Sequence, residues 1–267
     1  MNAGRPHAEA GKRLLLFLDY DGTLVPIRKI PHKAVLTPSR KSILARLSEK
    51  AFVCIVTGRS AADIRGLVPL DNIGFIGNHG LELVLGRRSW THPQAKARRD
   101  ALKALLSRIE KRTVRFPRIQ VENKGVTGSI HLRRTDPALY PIVRKIVAES
   151  VAKSRRAFLL TEGKKVFEIR PNVDWNKGRG VLKMSRWISD GGSRMMFIGD
   201  DRTDEDVFRA LARDAVTIHV GRGRDSAARH RLADVDTVWR TLRRLERGLS
   251  LEDGGQEESR RIRSRRR

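Results

Sequence analysis

Short apolar runs that stop abruptly at turn residues constrain this chain most. Leu14 to Leu18, Phe52 to Val56, Ile73 to Ile76, Met195 to Ile198 and Val216 to Val220 are almost continuously apolar, the pattern of strands buried on both faces of a parallel sheet. Helical patterns lie between them: Ser39 to Lys50, Ser60 to Leu67, Gly178 to Ile188, Thr203 to Ala212 and Thr237 to Leu245, many opened by Ser, Thr or Asp near a cap position. The alternation predicts an α/β fold with a doubly wound, Rossmann-like core. From about Leu85 to Glu168 the rhythm breaks. A charged helix (Gln94 to Lys111), two strand-like segments (Arg118 to Glu122 and Gly128 to Arg133), a second helix (Leu139 to Lys153) and two further strand-like segments (Ala157 to Thr161 and Lys165 to Arg170) follow in turn. This middle reads as a smaller α+β cap inserted into the core. The expected division is a discontinuous core of residues 1–84 and 171–248, a cap at 85–170 and a tail at 249–267.

The apolar fraction, 39%, is enough for a buried core without cross-links. The single cysteine, Cys54, lies inside an apolar run and reads as a small buried hydrophobe. Met1 to Lys12 is polar, without the apolar centre of a signal peptide, and no segment stays apolar long enough to span a bilayer. A cytoplasmic monomer without a membrane partner is expected. Fifty-six basic against thirty acidic residues leave a net charge of +26, which attracts anions of every kind. The arginines are spread along the chain with no zinc-finger spacing, helix-turn-helix pattern or aromatic-interleaved strand, so no specific nucleic-acid partner is expected. The stretch from Gly254 to Arg267 has almost no apolar content and reads as a disordered basic tail, suited to weak polyanion binding.

Chemistry concentrates at the ends of the apolar runs. Asp19-Tyr20-Asp21-Gly22-Thr23 puts two carboxylates at the carboxyl end of the first strand, where open α/β sheets bind ligands. Thr57-Gly58-Arg59-Ser60 offers a hydroxyl and free amides to a phosphate oxygen, or supplies an ordinary helix cap. Gly199-Asp200-Asp201-Arg202-Thr203-Asp204-Glu205-Asp206 is acidic enough to ask for a hard cation, and oxygen ligands without clustered Cys or His favour Mg2+. Asp200 is nearest the strand end; Glu205 and Asp206 suit a first helical turn. Lys177 opens a later helix and can neutralise phosphate. An anionic carboxylate attacking a phosphate dianion needs such neutralisation. Asp19 would attack phosphorus, while Asp21, kept protonated by its charged neighbour, would protonate the leaving oxygen and then serve as base for water.

These four motifs, in this order, resemble the haloacid dehalogenase superfamily. A closer resemblance is to trehalose-6-phosphate phosphatases, through Asp19 to Ile27, Gly77-Asn78-His79-Gly80-Leu81-Glu82, Val121 to Gly125, His131-Leu132-Arg133, Phe167 to Pro171, Asn176-Lys177-Gly178 and Gly199 to Asp206. The resemblance implies hydrolysis of trehalose 6-phosphate through an aspartyl phosphate on Asp19, with sucrose phosphate or a mannosyl phosphate as the nearest alternative substrates. It makes Asp19, the Asp21 carbonyl and Asp200 the ligands of Mg2+, with Asp201 and Asp204 supporting them. It gives phosphate to Asp19, Tyr20, Asp21, Thr57, Gly58, Arg59 and Lys177. Sugar hydroxyls would fall to His79, Glu82, Glu122, Lys124, His131, Arg133, Glu168 and Asn176. Without it, Glu122, Lys124, His131 and Arg133 also read as one solvated cross-strand charge face, His79 as a packed histidine, and the whole chain, by its charge, as a polyanion binder on a phosphatase-like scaffold.

Overall fold

The computed structural model of the protein describes residues 14–28, 31–163, 165–189, 192–211, 213, 215–222 and 225–264, with 250–264 as backbone alone. The polar N-terminal segment at 1–12, Ala212 and the arginines at 265–267 lie outside these residues.

In chain order the strands are β1 (Leu14–Asp19), β2 (Phe52–Val56), β3 (Gly74–Gly77), β4 (Glu82–Leu85), β5 (Arg88–Thr91), β6 (Gln120–Asn123), β7 (Gly128–His131), β8 (Phe158–Gly163), β9 (Val166–Pro171), β10 (Arg194–Gly199), β11 (Ala215–Val220) and β12 (His230–Leu232). The helices are α1 (Pro38–Lys50), α2 (Ala61–Leu67), α3 (Pro93–Ala97), α4 (Arg99–Thr113), α5 (Tyr140–Ala152), α6 (Lys177–Ile188), α7 (Glu205–Ala210) and α8 (Val235–Ser264).

One sheet has the order β12-β11-β10-β1-β2-β3-β4-β5, parallel from β12 to β3 and antiparallel beyond. Side chains on a strand alternate between faces. Leu16 and Leu18 of β1 pack with Leu44 and Leu47 of α1 and Trp239 and Leu242 of α8. Leu15 and Phe17 pack with Val181 and Met184 of α6 and Val207 and Phe208 of α7. Each of these fully buried side chains contributes on the order of 2 kcal/mol. Asp19 continues the odd set, so its carboxylate leaves the sheet edge on the α6–α7 side. Tyr20 continues the even set and is buried in the other layer.

The second sheet, β6-β7-β9-β8, is antiparallel throughout. Ile130, Phe158, Phe167 and Ile169 turn one face onto Leu102, Leu105, Leu106 and Ile109 of α4 and Val143 and Val147 of α5. The alternate residues, Glu122, Ser129, His131, Glu168 and Arg170, make the opposite face polar.

Three features depart from expectation. The large sheet runs on to Thr91, past residue 84, because Leu83 and Trp90 of the β4–β5 hairpin join the core layer around α6. The interrupting Arg87-Arg88-Ser89 hides that strand in the sequence. The charged helix is divided in two at Arg98 (φ −95°, ψ 6°). The tail expected to be disordered extends α8 to Ser264, its Leu, Glu, Gln and Arg residues being good helix formers with no proline to interrupt them. Cys54 is buried, which pushes its thiol pKa well up. No helix among the described residues is long and apolar enough to cross a membrane.

Candidate active site

Three loops and one helix start converge at the carboxyl edge of the large sheet. Lys177, the first residue of α6 and only 2% exposed, donates Nζ to Asp19 Oδ1 at 2.6 Å and to Asp204 Oδ1. Asp204 Oδ2 accepts from the backbone N–H of Asp201 at 2.9 Å. Asp200, directly after β10, accepts from Thr23 Oγ1 at 3.1 Å. Gly22 (φ 98°) is required beside it, since a β-carbon there would collide with the Asp200 carboxylate.

Carboxylate oxygens of Asp19, Asp200 and Asp204 lie within 4.8 Å of one another, against one ammonium. Burial raises the Asp19 pKa well above the usual carboxylate range and Asp204 and Asp200 add to this, while Lys177 opposes it. Burial and Asp204 lift Asp200 to about 7. Burial alone would lower Lys177, but Asp19 and Asp204 outweigh it and hold the ammonium charged. Asp19 Oδ2 is buried with no hydrogen-bond partner among the described residues. An unpartnered carboxylate oxygen within an all-oxygen, net negative cluster fits a hard divalent cation.

The other half of the Asp-x-Asp motif departs from the sequence reading. Asp21 was expected to hold a proton beside Asp19, yet its carboxylate takes a two-point ion pair from Arg59, with Nε at 2.6 Å and Nη2 at 2.8 Å. Arg59 also reaches Asp63 at 3.0 Å and lies over the Tyr20 ring. Burial would lower the Arg59 pKa; Asp21 and Asp63 carry it above its ordinary value instead. Bidentate geometry of this kind makes a strong, directional pair, so Arg59, read as a phosphate ligand, is anchored to two carboxylates here. The Tyr20 side chain does not reach the site: it is fully buried and its hydroxyl donates to Ala34 O at 2.9 Å. Thr57 is buried, with Oγ1 accepting from the Arg59 N–H at 3.2 Å. The helix cap is Ser60, which accepts from Asp63 N at 3.1 Å.

The polar face of the smaller sheet closes over these loops. Lys124 Nζ donates to Gly58 O at 3.3 Å, and the Lys124 carbonyl accepts from Asn78 Nδ2 at 3.0 Å. Thr127 Oγ1 donates to Asn78 Oδ1. Glu168 accepts from Arg170, lies 3.2 Å from His79 Nε2 and 3.8 Å from Lys124 Nζ. Burial would raise the Glu168 pKa, but the cations of Arg170 and Lys124 hold it well below the usual range. Burial, with Arg170 and Lys177 nearby, lowers His79 to about 4, leaving the imidazole neutral. Asn78 (φ 48°) and His79 (φ 55°) both adopt the left-handed conformation, a strained turn that aims them at the cap. His131 Nε2 pairs with Glu122 at 2.7 Å, lowering the Glu122 pKa chiefly through that hydrogen bond. Arg133 donates to the Arg28 carbonyl.

Other expected ligands make hydrogen bonds within the protein. Glu82 Oε2 accepts from Ala61 N and Asn78 Nδ2, both at 2.9 Å, bracing the start of α2. Asn176 caps α6 through Arg179 N at 3.0 Å. Asp201 is exposed, with Thr203 Oγ1 at 3.4 Å from its carboxylate. Glu205 accepts from Ser226 Oγ at 2.6 Å and Ala227 N at 2.9 Å. The sequence reading missed Asn78 and Arg170; the i, i+2 spacing of Glu168 and Arg170 on one strand is the signal that finds the latter.

An aspartate held by a buried lysine at the edge of this sheet, under an inserted cap, defines a class. The chain has the haloacid dehalogenase-like hydrolase fold, shared with one such hydrolase from Bacteroides thetaiotaomicron at a TM-score of 0.63 and 13% identity, over 88% of this chain and all of that one. Residues 17–236 match the sequence model of the trehalose-phosphatase family, and the chain belongs to that family. It is 33% identical to trehalose-phosphate phosphatase B of Arabidopsis thaliana over 254 residues, 90% of this chain and 68% of that protein. It is 33% identical to the trehalose-phosphate phosphatase of Mycobacterium tuberculosis over 77% of this chain and 53% of that protein, so it spans about half the length of the mycobacterial relative. The crystal structure of a trehalose-6-phosphate phosphatase related protein superposes with a TM-score of 0.80 at 28% identity, covering 90% of this chain and 99% of the other.

Proposed function

We propose that the protein hydrolyses trehalose 6-phosphate to trehalose and phosphate, with Asp19 as nucleophile. The observation that supports this most is the Lys177 bridge between Asp19 and Asp204, which leaves Asp19 Oδ2 unpartnered in a chain that matches the trehalose-phosphatase family over residues 17–236. Asp19 and Asp200, with the Asp21 carbonyl, would hold Mg2+, while Asp204 supports the cluster through Lys177. Bound there, the ion supplies positive charge to the phosphate and to the attacking carboxylate.

This chain's own groups do the rest. Lys177 fixes the rotamer of Asp19, whose carboxylate forms the new O–P bond as the bond from phosphorus to the sugar oxygen breaks. Asp21 must part from Arg59 and take up a proton from solvent before it can protonate that oxygen. A phosphate dianion arriving beside Thr57 and Arg59 offers the guanidinium an alternative partner. Water then attacks the aspartyl phosphate, giving its proton to Asp21 and restoring Asp19. The polar face of the cap covers the reaction, excludes bulk water and reads the sugar.

The test is phosphate release from a panel of trehalose 6-phosphate, sucrose 6-phosphate, glucose 6-phosphate and mannose 6-phosphate. The expected result is a strong preference for the trehalose ester, abolished by EDTA and by Asp19→Asn. Equal turnover of the panel would overturn the substrate; activity surviving Asp19→Asn would overturn the mechanism.

A further inference from the structure

We infer that Ser129 is a sugar-hydroxyl ligand and helps to set substrate specificity, a reading that rests on the sugar-phosphate hydrolysis proposed above. Strand register places Ser129 of β7 directly opposite Glu122 of β6 on one side and Glu168 of β9 on the other. Residues paired across antiparallel strands project from the same face. Ser129 therefore shares the polar face with the two glutamates and stands between them.

Ser129 is fully buried, and its Oγ has no hydrogen-bond partner among the described residues. Its neighbours on the same face are occupied: Thr127 Oγ1 is bonded to Asn78 of the core, His131 to Glu122, and Glu168 to Arg170. A hydroxyl so enclosed is costly to leave unpaired, and alanine would fill the same place in a purely structural strand. Glu122, Ser129 and Glu168 make a row of acceptor, donor-acceptor and acceptor. Such a row suits a polyol, each of whose hydroxyls both donates and accepts. The row faces the loops that carry Asn78 and Gly58, so a sugar held along it keeps its phosphate end toward Asp19.

Ser129→Ala tests this with steady-state kinetics, thermal melting and product inhibition by trehalose. The expected result is a KM for trehalose 6-phosphate raised about tenfold, kcat within twofold of wild type, an unchanged Tm and trehalose inhibition weakened by the same factor as KM. An unchanged KM overturns the inference, as does a fall in kcat accompanied by a lower Tm, which would mark the serine as a packing residue. The substrate reading fails separately: wild-type protein turning over glucose 6-phosphate as well as trehalose 6-phosphate, with no inhibition by trehalose, sinks the disaccharide. Ser129→Ala is then measured on glucose 6-phosphate, where a raised KM supports the hydroxyl contact and an unchanged one removes it.

Discussion

The two faces that meet over Thr57 and Gly58 handle charge in opposite ways. At the core edge, three carboxylates cluster beside one ammonium that pairs with two of them, and Asp19 Oδ2 has no partner among the described residues. On the cap, polar groups satisfy one another: Glu122 with His131, and Glu168 with Arg170 and Lys124. An imbalance at the core can be relieved only by something charged, such as a cation and a phosphate, so losses there should be nearly all-or-none. A balanced cap can exchange protein hydrogen bonds for sugar hydroxyls at little net cost, so losses there should be graded and should fall on KM.

The widest gap between the faces comes from Asp19→Asn, which removes the attacking oxygen and should lower kcat by at least about 10⁴-fold in the phosphate-release assay. Retention of a tenth of the activity would erase the distinction drawn for the core. Lys177→Met comes next. It strands Asp19 and Asp204 as buried neighbouring carboxylates, and breaking a buried pair in this way costs about 3–5 kcal/mol. Urea melts in EDTA should show that loss, and a partial recovery when Mg2+ is added would show that the ammonium and the cation answer the same charge. Glu168→Gln tests the cap. A sugar hydrogen bond to a charged acceptor is worth roughly 1.5–3 kcal/mol, so KM should rise by about 10- to 100-fold with kcat nearly unchanged. A fall in kcat alone would mean that this face acts on chemistry rather than recognition.

The contrast also decides what was legible in the sequence. The core loops could be read because each follows an apolar run, so strand order alone brings Asp19, Thr57 and Asp200 to one edge. The Asp21–Arg59 pair could not. Both residues carried plausible phosphate chemistry separately, and only the adjacency of β1 and β2 turns them toward each other. The partners of Glu82 and Asn176 were hidden for a related reason: a motif gives the position of a polar side chain, but not the backbone N–H groups, those of Ala61 and Arg179, that bond to it. Ser129 carried no signal, because a strand serine means little until its register against Glu122 and Glu168 is known.

The smallest effect expected is a pH dependence at the contact between the two faces. His79 has a pKa of about 4 in the folded protein, from burial and from Arg170 and Lys177, against the ordinary value of 6.5. The unfolded chain therefore binds a proton more readily than the folded one. The stability that follows is complete above pH 6.5 and is lost as pH falls toward 4, amounting to roughly 2 kcal/mol between pH 7 and pH 5. Glu168, already held well below its ordinary range, changes little in that window. Asp200, raised to about 7 by burial and Asp204, acts with the opposite sign: a raised acid gains stability as pH falls. That contribution is common to wild type and His79→Asn, a substitution that tolerates the left-handed backbone at φ 55°. Urea melts of both proteins in EDTA at pH 7 and pH 5 isolate the histidine: wild type should lose about 2 kcal/mol more than the variant. Equal losses would mean that His79 is not held neutral against Glu168, and that a charge pair joins the cap to the core there.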